Sequence, residues 1–512
     1  MKSLYNEKET NKFKTDLDLR VYTSRLLGKD SSLVLHGGGN TSVKSSATNL
    51  FGEVEEILYV KGSGWDLATI ESQGFAPVKM QTLLKMAKLQ KLSDTDMVKY
   101  QRVAMIDPHA PNPSVEAILH AIIPFKFVDH THADAVVTIT NTDDAADKIK
   151  EIYGDKVLVI PYIMPGFVLA KLVYDMTRDV NWSELEGMVL MNHGLFTFND
   201  NAKKSYEKTI ELVDKAEKYL ASKGAEYALS SEIMETSKDL LCDEELIKLA
   251  KIRKEVSDIK GYAVISVLND SDEAIYFSKQ ENISQRGPLT PDHVIRTKRI
   301  PAVIGDDFKS DLALYVKEYK KYYEDNKINE IILNPAPNFA LLKNMGVLSF
   351  GKNAKEANII KDINEHTIEA ILKAQKLGGY KALDAKDIFD VEYWELEQAK
   401  LKKSAIASEY SGKVAVVVDA LSKEGVIATK TLKDKGAEVV VFDKKKDIDK
   451  KDIEKIIKIF GGIDIVVDGL KIFTPHSKFD FTIEEKFMKN IAEFLKLGID
   501  SNVCELKCAM KI

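Results

Sequence analysis

The chain holds 512 residues, enough for about two to four domains, and its 45% hydrophobic and 30% charged composition excludes wholesale disorder, a collagen-like repeat and a disulfide framework. Net charge is −6 from 73 basic and 79 acidic residues, which leaves no basic excess to draw it onto nucleic acid or an anionic membrane. No run approaches the roughly 18 apolar residues of a membrane span, no apolar segment opens the chain, and Cys242, Cys504 and Cys508 make no CxxC pair, so we expect a cytoplasmic protein with neither kind of partner. In chain order, residues 1–30 read as polar helix leading into a strand, SSLVLHGGGN (31–40). EEILYVKGSG (55–64) reads as a strand ending in a glycine turn, and residues 78–92 carry apolar positions at helical spacing. PSVEAILHAIIP (113–124) is a short predicted helix with Ser114 as N-cap. KFVDHTH (126–132), KVLVIPYI (156–163) and GMVLMNHGLFTF (187–198) are extended, and residues 201–224 form a long amphipathic helix ended by Gly224.

Residues 230–405 form a second α/β block, with GYAVISVL (261–268), EAIYFS (273–278) and EIILNPA (330–336) as extended runs and a long helix over 353–379. HGLFTFNDNAK (193–203) aligns without a gap on MGVLSFGKNAK (345–355), so the second block reads as a copy of half the first, with Met345 in place of His193. Chance is the competing account of eleven residues. After a linker over 398–412, residues 411–512 begin as strand, loop, helix, strand, and the lysine-dense run 443–458 reads as a solvated helix face.

The chemistry concentrates in residues 113–137. His130 and His132 are two apart, so in extended chain both imidazoles share one face. An HxH pair alone is weak evidence, but Glu116 precedes it and His193 follows in a strand-end turn. Three neutral nitrogen donors with an open position are the pattern of a catalytic zinc site.

With Glu116, His130-Thr131-His132 and His193-Gly194 in this order, the sequence resembles the class II aldolase/adducin family. GGGNTSVK (37–44) and KGSG (61–64) match that family's two phosphate-binding loops. RGPLTPDHVIRTKR (286–299), the surroundings of Gly351-Lys352 and FDVEYWELEQAKL (389–401) extend the likeness to the bifunctional rhamnulose-1-phosphate aldolase/short-chain dehydrogenase proteins. The resemblance implies an α/β fold with three parts: an α/β/α aldolase domain over 1–229, the second α/β block over 230–405, and a partial Rossmann-like unit over 411–512. It implies a zinc-dependent aldolase that cleaves a phosphorylated ketose, such as rhamnulose 1-phosphate, to dihydroxyacetone phosphate and an aldehyde. Zinc sits on His130, His132 and His193, and Glu116 is the acid/base, near the metal without being a permanent ligand. Asn40, Ser63, Gly64 and Ser114 carry over as phosphate contacts. Gly37 and Val115 stand where simpler members have threonine and serine. Lys61 replaces another threonine and either supplies charge to the phosphate or is a surface lysine at a strand end. A homo-oligomer is implied, with a tetramer among its forms.

The same fold hosts a dehydratase, epimerases and the non-catalytic adducins. Glutamate at 116 favours aldolase or dehydratase over the epimerase branch, which has aspartate there, and the retained histidines argue against an adducin-like protein. His36 is a candidate substrate contact, His120 orients Glu116 or packs, and His293 belongs to a site or a domain interface. His109, His366 and His476 read as structural or exposed.

In the C-terminal part, an intact dehydrogenase would read TGxxxGxG where Val418–Gly425 stands. Asp419 and Lys423 replace two of the glycines and only Gly425 remains, with Glu424 adding negative charge. Asp443 keeps the ribose-reading position, but the family's Tyr-xxx-Lys pair is not met before Ile512. We therefore expect no NAD here, and a role in assembly. CELKC (504–508) reads as two helix-packed thiols.

Overall fold

The structure is a computed structural model that describes residues 1–229, 241–396, 408–443, 448–468 and 471–473. It divides into two compact units: residues 1–229 with 286–295 and 366–402, and residues 230–285 with 296–365 and 403–512. The segments 286–295 and 366–402, which the sequence reading assigns to the second block, thus group with the first. The 398–407 part of the expected linker and CELKC lie outside the described residues, as does His476. Among the described residues no helix is long and apolar enough to cross a membrane.

The first unit is built on seven strands: β1 (Asn40–Thr48), β2 (Val54–Lys61), β3 (Phe75–Lys79), β4 (Phe127–Thr131), β5 (Val157–Ile160), β6 (Gly187–Leu190) and β7 (Gly194–Asn199). Their order is β3-β2-β1-β4-β7-β6-β5, antiparallel except for the parallel β5–β6 pair. Alternation puts Val128, Phe196 and Phe198 on one face, in a core with Ala117, Ile118, Leu119 and Ala121 of a short helix, Ala117–Ile122. The other face packs Val189 and Leu195 against the Asp16–Gly28 and Ala202–Ser222 helices through Tyr22, Leu26, Tyr206, Ile210 and Val213. The result is the expected α/β/α layering. Asn201 caps the long helix by accepting from the Lys204 N–H, and Gly224, at φ 75, follows its end.

Several local expectations are corrected. SSLVLHGGGN is not a strand: β1 begins only at Asn40, because His36, Gly37 and Gly39 take left-handed φ values of 38, 80 and 56, which no ladder accommodates. Residues 75–79 are strand, and the helix expected over 78–92 runs only Met80–Ala87. The 113–124 helix starts at Ala117, and Ser114 Oγ accepts from the Glu116 N–H, 3.3 Å, within the turn before it. EAIYFS is helical, Asp272–Ser278, with Ser271 as its cap, and EIILNPA makes no strand. Local capping outweighed the β-branched and aromatic content of the first, and the Asn-Pro pair interrupts the second.

The internal echo is structural. The second unit contains β8 (Ile265–Asn269), β9 (Ala302–Ile304), β10 (Phe339–Leu342) and β11 (Gly346–Gly351) in the order β8-β11-β10-β9. This repeats β4-β7-β6-β5 with the same pair directions, and the hairpin registers coincide, Leu190↔Gly194 with Leu342↔Gly346. Both hairpin turns carry an asparagine in left-handed conformation, Asn192 at φ 59 and Asn344 at φ 67. Each β-hairpin is followed by a long helix, Ala202–Ser222 and Ala354–Gln375. By register, Leu268, Asp270 and Met345 occupy the places of His130, His132 and His193, so the copy lacks all three imidazoles.

The same unit holds β12 (Val414–Val418), β13 (Glu438–Phe442), β14 (Ile465–Asp468) and β15 (Lys471–Phe473), in the order β13-β12-β14-β15. The first three are parallel, joined through the Lys423–Asp434 and Lys450–Phe460 helices. Lys450, Lys451 and Lys455 are exposed while Ile453, Ile456 and Ile457 are buried, which is the solvated lysine face expected there. Arg253, buried beside β8, donates to the Val264 and Gly412 carbonyls and pairs with Asp464 at 2.7 Å, tying this sheet to the β8–β11 sheet.

Candidate metal centre

β4 carries His130 between two partners fixed by register, Asn40 on β1 and Phe196 on β7. Its ring stacks on Phe196, with centroids 4.1 Å apart and planes at 13°. His130 Nδ1 donates to the Leu195 carbonyl at 3.2 Å, which fixes the tautomer with Nε2 as the acceptor nitrogen. His132, just beyond the strand, brings its Nε2 to 3.1 Å from His130 Nε2. His193 enters from the β6–β7 turn. One ligand atom from each of the three lies within 4.8 Å of the others. Burial, and then the neighbouring histidines, holds His130 and His132 well below the usual histidine range, so both rings are neutral, as ligation requires.

Gly194 makes this approach possible. A Cβ there would lie 2.3 Å from the Thr131 carbonyl oxygen and within 3.2 Å of both the His130 and His132 rings. Behind the strand, Asp129 points the other way, to Arg20, with Nη2–Oδ1 at 2.5 Å and both side chains fully buried. Ser205 Oγ donates to the other oxygen of Asp129, and Arg20 also donates to Thr23 Oγ1 at 2.6 Å. This satisfied pair anchors the strand that presents the HxH motif; removal of one partner from such a pair costs about 3–5 kcal/mol.

Glu116 is 5% exposed and faces the histidines along one edge. Oε2 is 3.5 Å from His130 Nε2, and Oε1 is 3.8 Å from His193 Nε2. Asn40 Nδ2 donates to Oε2 at 2.5 Å, and the Asn40 carbonyl is held by His120 Nε2, whose Nδ1 is 2.8 Å from Ser42 Oγ. His120 therefore orients Glu116 through Asn40. Among the described residues no hydrogen bond reaches Glu116 Oε1, although it is buried. Three converging imidazoles and a buried carboxylate oxygen that no hydrogen bond reaches among the described residues form a set that suits a divalent ion.

The phosphate candidates come together in part. Ser114 N–H donates to the Lys61 carbonyl at 3.0 Å and Ser63 N–H to the Asn112 carbonyl at 2.7 Å, so the 61–64 and 111–116 loops run side by side. Ser63 and Gly64 are exposed, and Gly64, at φ 88, has open space where a Cβ would stand. Lys61 is 4% exposed, which removes the surface-lysine reading, and its Nζ donates to the Gly37 carbonyl at 2.7 Å. Burial lowers it to about 8, against the pull of Asp66 and Glu116. Asn40 stands apart from this group, with both ends of its amide already engaged.

Two family models match the chain: the Class II Aldolase and Adducin N-terminal domain over residues 19–220, and Aldolase class II, second domain, over 244–401. A solved N-terminal class II aldolase domain of a conserved protein from Thermoplasma acidophilum is 45% identical, covering 43% of this chain and 99% of that one, with a TM-score of 0.40. The chain belongs to the class II aldolase family. An uncharacterized oxidoreductase of Bacillus subtilis, YuxG, is 29% identical over 544 positions, covering 96% of this chain and 77% of the relative. The l-fuculose-1-phosphate aldolase from Thermus thermophilus is 16% identical, covering 40% of this chain and 95% of that one, with a TM-score of 0.27.

This member of the class II aldolase family also has site residues that the sequence pattern does not reveal. Asp292 Oδ2 lies 3.8 Å from His132 Nε2 and 3.7 Å from His193 Nε2. Its signal was the polar density of 286–299, which the reading credited to His293. His293 is half-buried and, with His36, part of one electrostatic neighbourhood. Tyr162 also escaped notice. Burial, and then Asp387 and Asp292, push its phenol well up, so it stays protonated, and among the described residues no hydrogen bond reaches its hydroxyl. His366 is half-buried against Asp134 at 2.5 Å, and His109 is exposed.

Proposed function

We propose that this class II aldolase is a zinc-dependent aldehyde-lyase that cleaves a phosphorylated ketose of the rhamnulose 1-phosphate type to dihydroxyacetone phosphate and an aldehyde. One observation carries the reading: His130, His132 and His193 converge, with Glu116 Oε1, which no hydrogen bond reaches among the described residues, beside them. A divalent ion held there supplies Lewis acidity toward substrate oxygens that gain negative charge. Glu116 Oε1 moves the proton at the substrate carbon, while Oε2 stays fixed by Asn40 and, behind it, His120. Lys61, Ser63, Gly64 and Ser114 hold the phosphate. The side-by-side 61–64 and 111–116 loops support this, with a buried ammonium under the glycine run. Asn40 joins them only by giving up Glu116 or His120.

Metal analysis followed by a screen of ketose 1-phosphates tests the proposal. Release of dihydroxyacetone phosphate, abolished by chelation, is expected. Loss of water or inversion of a carbinol centre without cleavage would assign the site to the dehydratase or epimerase branch instead.

In this reading the protein works in the cytoplasm as a homo-oligomer, its parts being 1–229, 230–405 and 411–512, and the last binds no NAD. Asp419 sits at φ 58 where glycine would make the phosphate turn. Ser422 caps the following helix by accepting from the Gly425 N–H at 3.0 Å, and Glu424 lies in its first turn. Gly425 alone keeps its packing reason, a Cβ there lying 2.3 Å from the Asp419 carbonyl oxygen. Because the Bacillus relative is named an oxidoreductase, calorimetric titration with NAD and NADP is the direct check. Saturable micromolar binding would contradict this part.

A further inference from the structure

Asp292 lies outside the stretch matched to the N-terminal domain model and inside the stretch matched to the second-domain model, 244–401, yet its carboxylate stands at the histidine cluster. It covers the His132–His193 edge, whereas Glu116 covers the His130–His193 edge. For a tetrahedral ion with bonds of about 2.0–2.2 Å, donor atoms stand about 3.3–3.6 Å apart. Asp292 Oδ2, at 3.7–3.8 Å from two of the three Nε2 atoms, is near that spacing.

The placement is built into the fold. Asp292 sits in a single 3₁₀ turn, Pro291–His293, whose first position is proline. Tyr380 OH donates to the Pro288 carbonyl at 2.7 Å, and Val294 is buried against Ile388 and Val391. Asn141, 1% exposed, links this segment to the His193 turn. Its Nδ2 donates to the Leu289 carbonyl at 2.9 Å and to the Val137 carbonyl at 2.7 Å, and its Oδ1 accepts from Asn192 Nδ2 at 3.0 Å. One buried amide thus bridges the segment before Asp292 and the turn that carries His193, through Leu289 on one side and Asn192 on the other.

We propose that Asp292 is the fourth donor to the metal in the resting protein and gives up its place when substrate enters. The second-domain sequence would then serve the N-terminal centre directly, by closing its open coordination position. The inference rests on the metal reading given above.

Full-length protein stripped of metal is titrated with Zn²⁺ against a chromophoric chelator, and with Co²⁺ followed by visible absorption. In Asp292→Asn the Zn²⁺ dissociation constant is expected to rise about tenfold or more, and the Co²⁺ bands to shift in position and intensity. Asp292→Glu, which keeps a carboxylate, is expected to recover part of the affinity. Wild-type affinity in Asp292→Asn, or weakened affinity with an unchanged Co²⁺ spectrum, overturns the assignment. If the wild-type protein takes up neither ion, the metal reading itself fails, a result distinct from a silent Asp292→Asn.

Discussion

Glu116 divides its two oxygens between two tasks, and the division can be tested one atom at a time. Asn40 donates to Oε2, so Glu116→Gln loses little anchoring on that side but loses the base at Oε1. Metal content is expected to hold, while the rate falls by about 10²–10⁴, the scale of one general acid–base group. Full activity in this variant, measured with the ketose phosphate found in the screen, would remove Glu116 from the chemistry. Lys61 makes a different kind of prediction. Burial sets its value at about 8 in the folded chain, below the roughly 10.4 of an unfolded one. Between those limits the unfolded chain holds more protons, so this group makes the protein more stable as pH rises through that window. Phosphate binding needs the ammonium and therefore falls over the same window. Dihydroxyacetone phosphate affinity is expected to drop as pH passes about 8, and Lys61→Met to bind weakly with a flat profile. Equal wild-type affinity at about pH 7 and pH 9 would place the phosphate elsewhere.

Two hairpins of one design separate fold from function at the scale of elements. Gly194 and Gly346 take the same register position, and a Cβ on either would meet a carbonyl oxygen of the neighbouring strand, Thr131 at 2.3 Å or Asn269 at 2.1 Å. In Gly194→Ala the strain falls on the strand end carrying His130 and His132, so bound metal is expected to fall below one per chain. Gly346→Ala should lower the unfolding midpoint and leave metal content unchanged. Metal loss in both variants, by elemental analysis, would mean that the second sheet acts on the centre. The HxH pair, Glu116 and the hairpin echo were legible in the sequence because each is local: a two-residue period, a helix start, a repeated strand–turn–helix outline. The 31–40 run was misread because its apolar residues precede glycines whose positive φ values depend on tertiary contacts, such as the close approach of Gly39 to the His130 carbonyl. EAIYFS was misread because an N-cap outweighed its composition.

For the molecule as a whole, the alternation of helices and strands was legible along the chain and the family resemblance implied the α/β class, whereas the reach of the second-domain sequence was not legible. No period or motif brings Asp292 to His132; long-range hydrogen bonds such as Asn141 to Leu289 and Tyr380 to Pro288 do so, and single-sequence reading has no access to them. The C-terminal sheet is likewise tied to β8–β11 by long-range contacts, among them buried Arg253 to Asp464 and Lys458 to Asp270 at 3.1 Å. Arg253→Ala leaves Asp464 buried without its main partner, for about 3–5 kcal/mol, so denaturation of the second unit is expected at lower urea with metal content intact. An unchanged midpoint would show that the two sheets are stable independently. The most direct measurement is anomalous X-ray diffraction at the zinc edge from protein loaded with Zn²⁺. One peak per chain is expected, about 2.0–2.1 Å from a nitrogen of each of His130, His132 and His193. A peak elsewhere, or none with the three imidazoles turned apart, would contradict it.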